Sequence, residues 1–218
     1  LKNKEGQLIE QVAKAYHAAG KKLIVILNIC SPMETASWSA QADAVICAFE
    51  PGEEVGNCVT DVLTGRVNPS GKLPMTFQVK YGDALSDANF PYDYEFVMPS
   101  FAMGTGMNLK SEKKEEKPKE PVANVDFTNY KEGIYVGYRY FDTYGKPVAY
   151  PFGFGLSYTT FDYQIEQSAI DNDLCKLVVK VTNTGRRAGK EAVQLYVKAP
   201  KGGMEKPSKE LKAFGKTK

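Results

Sequence analysis

A run of five consecutive aliphatic residues, Leu23 to Leu27, follows directly on a helical pattern near the start of the chain. Uninterrupted apolar runs of this kind are typical of strands that are buried on both faces of a parallel sheet. Before the run, apolar residues recur at helical spacing from Gln7 to Ala19, and Gly20 follows as a helix stop. A second apolar run, from Asp43 to Phe49, repeats the pattern. The sequence therefore predicts strands that alternate with helices.

The segments between and after these strands carry helix signals. Ser31 and Glu34 match a capping box with a proline at the first helical position, which predicts a short helix through Trp38. Pro51 to Glu54 opens a further helix with carboxylates in its first turn. A short strand is predicted from Leu73 to Phe77. Together these elements predict an α/β fold, with a partial, mostly parallel sheet and flanking helices.

Two loops, 28–34 and 50–57, follow the carboxyl ends of the first two predicted strands. Ligands of open parallel sheets gather at that edge. Asn28, Glu53 and Glu54 lie in these loops and are our candidate substrate-binding residues. The alternative is that the same residues cap helices and hold the loops in shape.

The chain offers little for metal or nucleophile chemistry. Its four cysteines have no metal-ligand spacing, and Cys30 and Cys47, near the ends of apolar runs, are expected to be buried free thiols. The single histidine, His17, lies late in the first helix, where we expect a surface role rather than a catalytic one. The sequence predicts no metal site and no cofactor.

Composition and charge exclude further classes of partner. The net charge is only +2 and no basic cluster stands without neighbouring acids, so no nucleic acid is expected. No apolar stretch approaches the ~20 residues of a membrane span, so no membrane partner is expected. Gly104 to Gly106 follows no clear strand and precedes no helix, which argues against a nucleotide-binding loop. The charged stretch from Lys110 to Glu120 predicts a flexible segment near 107–123.

Aromatic residues dominate the next part of the chain. Gly133 to Phe141 is dense in aromatic and β-branched residues, which predicts a strand. Tyr150 to Tyr158 is rich in glycine and aromatic residues. These aromatics form either a platform for a substrate or the packing between two domains, and packing is the favoured interpretation.

The pattern then changes to a period of two. Apolar residues alternate from Leu177 to Val181 and from Ala192 to Val197, a turn is predicted at 183–185, and another strand begins at Leu211. This predicts a truncated antiparallel β-sandwich with an immunoglobulin-like architecture. We expect domains at 1–157 and 158–218, within a chain that is part of a longer protein. The incomplete sandwich is expected to pair with another copy or to pack on the first domain.

The order of these motifs resembles the second domain of family 3 glycoside hydrolases, the β-glucosidase and β-xylosidase type enzymes. The later segments resemble the passage of that family into its fibronectin III-like third domain and the first strands of that domain. The segments that carry the resemblance are Leu27–Asn28 with Ser31–Pro32 and Trp38, Ala48–Asn57 (AFEPGEEVGN), Asp61–Phe77 (DVLTGRVNPSGKLPMTF), Gly133–Asp142, Tyr150–Phe161, Val179–Gly185 and Glu191–Val197.

The resemblance implies a retaining mechanism with two carboxyl groups ~5 Å apart. In the family the nucleophilic Asp lies on an N-terminal barrel, and the acid/base Glu usually lies in the sandwich domain, upstream of the helix that opens this chain. Both positions are therefore expected before Leu1, and no catalytic residue is assigned here. Glu53 and Glu54 cannot replace them, because adjacent helical residues project ~100° apart and cannot flank one glycosidic bond.

The expected function is that of a fragment of a β-glucosidase-type hydrolase that is inactive by itself. The parent would cleave terminal β-linked sugars from oligosaccharides or glycosides, and the missing barrel would be the fragment's partner. The alternative is a non-catalytic carbohydrate-binding or structural module. The resemblance leads us to expect a secreted or periplasmic parent, while the identity of the sugar stays open among glucose, xylose and N-acetylglucosamine.

Overall fold

The computed structural model describes residues 3–89, 130–172, 174–200 and 202–218. The predicted flexible segment near 107–123 and the stretch Gly104–Gly106 lie outside the described residues. No helix in the described part of the chain is both long and apolar enough to cross a membrane. The helices are α1 (Asn3–Ala18), α2 (Val55–Leu63) and α3 (Tyr138–Thr143), and the strands are β1 (Ile24–Leu27), β2 (Ala44–Cys47), β3 (Phe77–Gln78), β4 (Val148–Tyr150), β5 (Phe161–Asp171), β6 (Leu174–Asn183), β7 (Ala192–Val197) and β8 (Glu210–Lys216).

The first part of the chain contains the predicted parallel strands. β1 and β2 pair in parallel, in a register that runs from Ile24 opposite Ala44 to Leu27 opposite Cys47. α1 precedes β1, and α2 follows β2, as the sequence predicts. The prediction that β1 is buried on both faces is wrong for this chain, because Ile24 and Ile26 are exposed. Neither residue is covered by a second layer among the described residues.

The third predicted strand does not join the parallel sheet. The sequence predicts Leu73 to Phe77 as its next strand, but β3 begins only at Phe77 and pairs antiparallel with β4. The Leu73 amide donates to the Phe154 carbonyl at 2.7 Å, and the Gly153 amide donates to the Leu73 carbonyl at 2.8 Å. These bonds draw the segment toward residues 150–155 and away from β2.

The prediction of a strand from Gly133 to Phe141 is also wrong. The residues from Tyr138 onward form α3, and Gly137 precedes it with φ +56°, a conformation that glycine adopts without strain. The Tyr138 ring packs on Phe152 and Tyr196. Tertiary contacts of the aromatic rings therefore override the strand preference of the sequence.

The last part of the chain forms two antiparallel hairpins. β5 pairs with β6, and β7 pairs with β8. The alternating residues from Leu177 to Val181 lie in β6, and the predicted turn at 183–185 coincides with the end of that strand. Strands near 192–197 and 211–214 are confirmed as β7 and β8.

Asn68 joins the first part of the chain to the last. Its Oδ1 accepts from the Ser157 hydroxyl and the Tyr158 amide, each at 2.8 Å, and its Nδ2 donates to the Ala188 carbonyl at 2.9 Å. The Tyr158 hydroxyl also donates to the carbonyl of Val62 in α2. The two parts are thus connected by polar bonds of defined direction.

Asp43 ties the end of α1 to the entrance of β2. Its carboxylate accepts from Lys22 at 2.7 Å and from the Leu23 amide at 2.9 Å, and it pairs with His17 at 2.9 Å. The bond from Lys22 is the largest cause that holds the pKa of Asp43 well below its ordinary value, followed by the bonds from Leu23 and His17. His17 thus has an ion-pair partner, and its side chain is 45% exposed.

We expect the stabilising effect of Asp43 to disappear in acid. A carboxyl whose pKa is depressed by folding stabilises the protein above its unfolded pKa, near ~4, and loses that contribution as the pH falls toward the folded pKa. Asp43→Asn should therefore lower the Tm at pH 7, and the Tm difference from wild type should shrink between about pH 4 and pH 2. Asp61→Asn, which removes a pair with the exposed Arg66, is the control. A Tm difference for Asp43→Asn that is equal at pH 7 and pH 2 would contradict the assignment.

Candidate functional site

The candidate site lies at the carboxyl edge of the β1–β2 sheet. The strands are parallel, and the Ala48 amide donates to the Leu27 carbonyl at 2.9 Å, so the two chain segments leave the sheet side by side. Asn28 is the first residue after β1 and is exposed. The segment after β2 leads to Glu53 and Glu54. The sequence-based placement of both loops at one edge is confirmed.

Phe49 gives the second loop its direction. Its φ is +54°, which is a strained conformation for a bulky side chain and costs on the order of 1–3 kcal/mol. Phe49 is among the residues that line an apolar cavity. Gly52 follows with φ +68°. Two left-handed residues so close together turn the chain back into α2.

Glu53 and Glu54 lie in a short 3-10 helix, Gly52–Glu54, that leads into α2. Both are exposed, and neither caps α2 through its side chain. The Glu54 carboxylate accepts from the Asn57 Nδ2 at 2.6 Å, one turn further on. Glu54 therefore holds the local turn, and Glu53 is exposed beside it.

The loop after β1 is anchored differently from the prediction. The predicted capping box at Ser31 is wrong, and residues 31–38 contain no α-helix. The Glu34 carboxylate instead accepts from the amide and the hydroxyl of Ser37, both at 2.7 Å. The indole Nε1 of Trp38 donates to the Glu34 carbonyl at 3.0 Å. Glu34 has the structural role that the sequence predicts, but as the cap of a turn rather than as part of a capping box.

A cavity of about 930 Å³ lies between the β1–β2 sheet, α2 and the segments around Leu73 and Phe154. Most of its lining is apolar, and Asp43 is the one carboxylate among the lining residues that the structure describes. That carboxylate is already bonded to Lys22, His17 and the Leu23 amide. Among the described residues that line the cavity, no second carboxylate stands beside Asp43, and a retaining hydrolase needs two.

Two buried hydroxyls are unpaired in the described part of the chain. The Oγ1 atoms of Thr35 and Thr76 have no hydrogen-bond partner there. Thr35 is fully buried and lines the cavity. Burying a hydroxyl without a hydrogen-bond partner costs folding free energy, so the Thr35 hydroxyl destabilises this wall of the cavity.

The aromatic residues of the middle segment contact one another. Tyr150 packs against Phe77 and Phe154, while Tyr138 packs on Phe152 and Tyr196. These contacts favour packing between the two parts of the chain over a platform for a substrate. Tyr135 lies further out and donates to the Glu205 carboxylate at 2.6 Å, which raises the pKa of the tyrosine.

The described residues contain no group of three or more His, Cys, Asp or Glu that could hold a metal ion. The four cysteines are free thiols. Cys30 is exposed, so the prediction that it is buried is wrong, because the loop after β1 has no layer above it. Cys47 is half-buried, and burial raises the pKa of its thiol.

The sequence of the chain is similar to those of known proteins. The model of the glycosyl hydrolase family 3 C-terminal domain matches residues 1–138. The thermostable β-glucosidase B of Acetivibrio thermocellus is 38% identical over 216 residues, which are 97% of this chain and 24% of that protein. A β-glucosidase of Rhizobium radiobacter is 36% identical, over 100% of this chain and 23% of that protein. The chain thus spans about a quarter of the length of these curated relatives.

A solved structure agrees over the whole chain. The structure of β-glucosidase 3B from Thermotoga neapolitana in complex with α-D-glucose superposes with a TM-score of 0.82 at 43% sequence identity. The superposition covers 100% of this chain and 27% of that one. The small sheets and helices described above therefore correspond to about a quarter of that enzyme.

Proposed function

Because the chain belongs to glycosyl hydrolase family 3, we propose that it is the C-terminal supporting part of a retaining β-glucosidase-type enzyme. The parent enzyme cleaves terminal β-linked sugars from oligosaccharides or glycosides. The observation that carries the proposal is the agreement along the whole chain with a β-glucosidase, at 43% identity and a TM-score of 0.82. The chain accounts for only 27% of that enzyme, so most of the parent enzyme, including its catalytic residues, lies outside this chain in our proposal.

The isolated chain is inactive in this proposal. A retaining hydrolase needs a nucleophilic carboxylate and a general acid/base on opposite sides of the glycosidic bond. Both residues lie on the part of the parent that precedes Leu1. The lining of the 930 Å³ cavity is mostly apolar and, within the described part of the chain, contains Asp43 as its one carboxylate, which supports the inactivity of the isolated chain.

Asn28, Glu53 and Glu54 border the sugar site of the assembled enzyme. Their exposure and their position at the carboxyl edge support this role. The side-chain amide of Asn28 can donate to and accept from sugar hydroxyls, and the carboxylates of Glu53 and Glu54 can accept from them. Glu53 is the strongest candidate of the three, since Glu54 already accepts from Asn57.

The chain contains parts of two domains. Residues 1–157 are a partial α/β sandwich, and residues 158–218 are the first strands of a fibronectin III-like β-sandwich. The antiparallel pairing of β5 with β6 and of β7 with β8 supports the second assignment. Ile165, Ile170 and Leu174 are exposed on the first hairpin, which supports self-association through the incomplete sandwich when the rest of the domain is absent.

The proposal is tested with a chimera in which this chain replaces the matching segment of Thermotoga neapolitana β-glucosidase 3B. We expect the purified chain to give no turnover of a chromogenic aryl β-glucoside and the chimera to hydrolyse it. In the chimera, Asn28→Ala and Glu53→Gln should raise the KM about tenfold, the loss of roughly one good hydrogen bond to the sugar.

Three outcomes would contradict this proposal. Turnover by the isolated chain, in protein free of host glucosidase, would show that the catalytic groups lie within it. A folded chimera without activity would show that the chain does not support a β-glucosidase site. An unchanged KM for both variants would remove Asn28 and Glu53 from the sugar site. Glu34→Gln, in the loop after β1, is the matched control because its carboxylate is already bonded to Ser37.

A further inference from the structure

A second cavity, of about 460 Å³, lies where the segment 151–154 meets β7. Its volume is within the range of roughly 300–1,000 Å³ that is usual for small-molecule sites. Tyr163 of β5 and Lys209 line it, and 54% of Tyr163 and 44% of the Lys209 side chain are exposed. In the described part of the chain, the cavity can therefore be reached from solvent.

Hydrogen bonds and ring contacts hold the walls of this cavity in place. Gln194 Nε2 donates to the Gly153 carbonyl at 3.1 Å, which joins β7 to the segment opposite it. The rings of Phe152 and Tyr196 both pack on the ring of Tyr138. The cavity is thus formed before a ligand arrives, which lowers the entropic cost of binding.

Three lining side chains offer N–H groups that no described residue uses. Gln194 Nε2 carries two N–H groups and makes one bond, to a backbone carbonyl. Lys72 Nζ carries three and makes two bonds, to Glu191 and to a backbone carbonyl. Lys209 Nζ carries three and forms one ion pair, with Asp142 at 3.0 Å.

Two tyrosine hydroxyls on the same lining offer acceptors. The Tyr196 hydroxyl donates its proton to Gln194 Oε1 at 2.6 Å, and the Tyr163 hydroxyl donates to the Glu191 carboxylate. Because both protons are already used, the lone pairs of the two oxygens are what a ligand would meet. The lining therefore combines available donors with available acceptors.

The charges on the lining select the class of ligand. Lys72 and Lys209 would repel a cation, while the Glu191 carboxylate, on a side chain that is only 7% exposed, would repel an anion. A hydroxyl group both donates and accepts, so a neutral molecule with several hydroxyls satisfies both kinds of group. Phe152 and Tyr163 add apolar area for the carbon-bound face of such a molecule.

We propose that this cavity binds a neutral monosaccharide unit. Asn28, Glu53 and Glu54 are not among its described lining residues, so the site is separate from the sugar site proposed above. The inference goes beyond that function and does not depend on catalysis by the parent enzyme.

Titration of the chain with D-glucose, followed by residue-resolved amide NMR, tests the proposal. We expect the amides of Gly153, Gln194 and Tyr196 to shift together, with a Kd on the order of a few millimolar. Sodium acetate should shift them no more than sodium chloride does at the same concentration, because the site disfavours an anion.

Matched lysine variants locate the binding. Lys209→Met removes one donor and should raise the Kd for glucose about fivefold, the loss of roughly one hydrogen bond. Lys212→Met should leave the Kd unchanged, since Lys212 forms a similar exposed pair with Glu210 but is not among the described lining residues. Tyr163→Phe, which removes an acceptor, should weaken binding by about the same factor as Lys209→Met.

The absence of shifts at these amides up to about 50 mM glucose would overturn the proposal, as would equal Kd values for Lys209→Met and Lys212→Met. Acetate shifts as large as those of glucose would also overturn it, because the cavity would then be an anion site. Shifts confined to Asn28 and Glu53 would reject this cavity and support the other sugar site. Failure of the chimera to hydrolyse a glucoside would reject the proposed function alone, since the glucose shifts are measured without it.

Discussion

Lys72→Met should lower the free energy of unfolding by about 3–5 kcal/mol, because it leaves a buried carboxylate without its partner. Lys72 Nζ lies 2.8 Å from Glu191 Oε1, and the side chains are only 17% and 7% exposed. Lys72 also donates to the Gly155 carbonyl at 2.8 Å, and the Tyr163 hydroxyl bonds to Glu191. The substitution thus breaks the connection between the segment after α2 and the start of β7.

A second substitution separates the net value of the pair from the cost of an orphaned charge. Replacing a buried ion pair by uncharged groups of similar size is often neutral, whereas removing one partner is strongly destabilising. Lys72→Met combined with Glu191→Gln should therefore recover more than half of the lost stability in urea denaturation.

An exposed ion pair provides the matched control. Lys212 and Glu210 pair at 3.0 Å, but their side chains are 54% and 29% exposed. Lys212→Met should change the free energy of unfolding by less than about 1 kcal/mol. Equal losses for Lys72→Met and Lys212→Met would show that burial of the first pair contributes nothing.

Local patterns in the sequence predict the parallel strands, because each of these elements is determined by residues that are close together in the sequence. The helical period before Gly20 and the aliphatic run at 23–27 each determine an element without distant contacts. Because the two strands run parallel, their carboxyl ends meet at one edge of the sheet, and both following loops lie there. Asn28 and Glu53 were found as candidate site residues for this reason.

Long-range contacts determine the elements that the sequence predicts wrongly. Residues 138–143 have strand-forming composition, but the Tyr138 ring is held by Phe152 and Tyr196 and its hydroxyl accepts from the Leu211 amide. Leu73 likewise bonds to residues 153 and 154, which a pattern within one segment cannot reveal. Propensity is a weak guide where such contacts compete with it.

Phe49 and the Lys72–Glu191 pair were missed for a related reason. A left-handed backbone conformation is normally predicted from a glycine in the sequence, and a phenylalanine gives no such signal. The nearest sequence signal is Pro51 to Glu54, which predicts the start of a helix and not the conformation of Phe49. No local sequence pattern predicts that a lysine and a glutamate so far apart in the chain form a buried ion pair.

Trp38→Ala should destabilise the chain by about 3–5 kcal/mol, the usual loss for a large aromatic side chain in a core. Trp38 is 2% exposed and is among the few large side chains that are fully enclosed in the described part of the chain. It lies between β1 and β2 in sequence, so the substitution also releases the loop that begins at Asn28. Urea denaturation followed by circular dichroism measures the loss without relying on the only tryptophan as the probe.

Trp38→Phe distinguishes the contribution of the ring from that of its hydrogen bond. The phenylalanine keeps most of the apolar volume but leaves the Glu34 carbonyl without the indole donor, a loss of about 1–2 kcal/mol. Phe214→Ala, at an exposed residue, should cost less than about 0.5 kcal/mol. The expected order of stability is therefore wild type, Phe214→Ala, Trp38→Phe and Trp38→Ala. If Trp38→Ala were no less stable than Trp38→Phe, the enclosed ring would contribute little, and the loop after β1 would be held by the bonds of Glu34 to Ser37 instead.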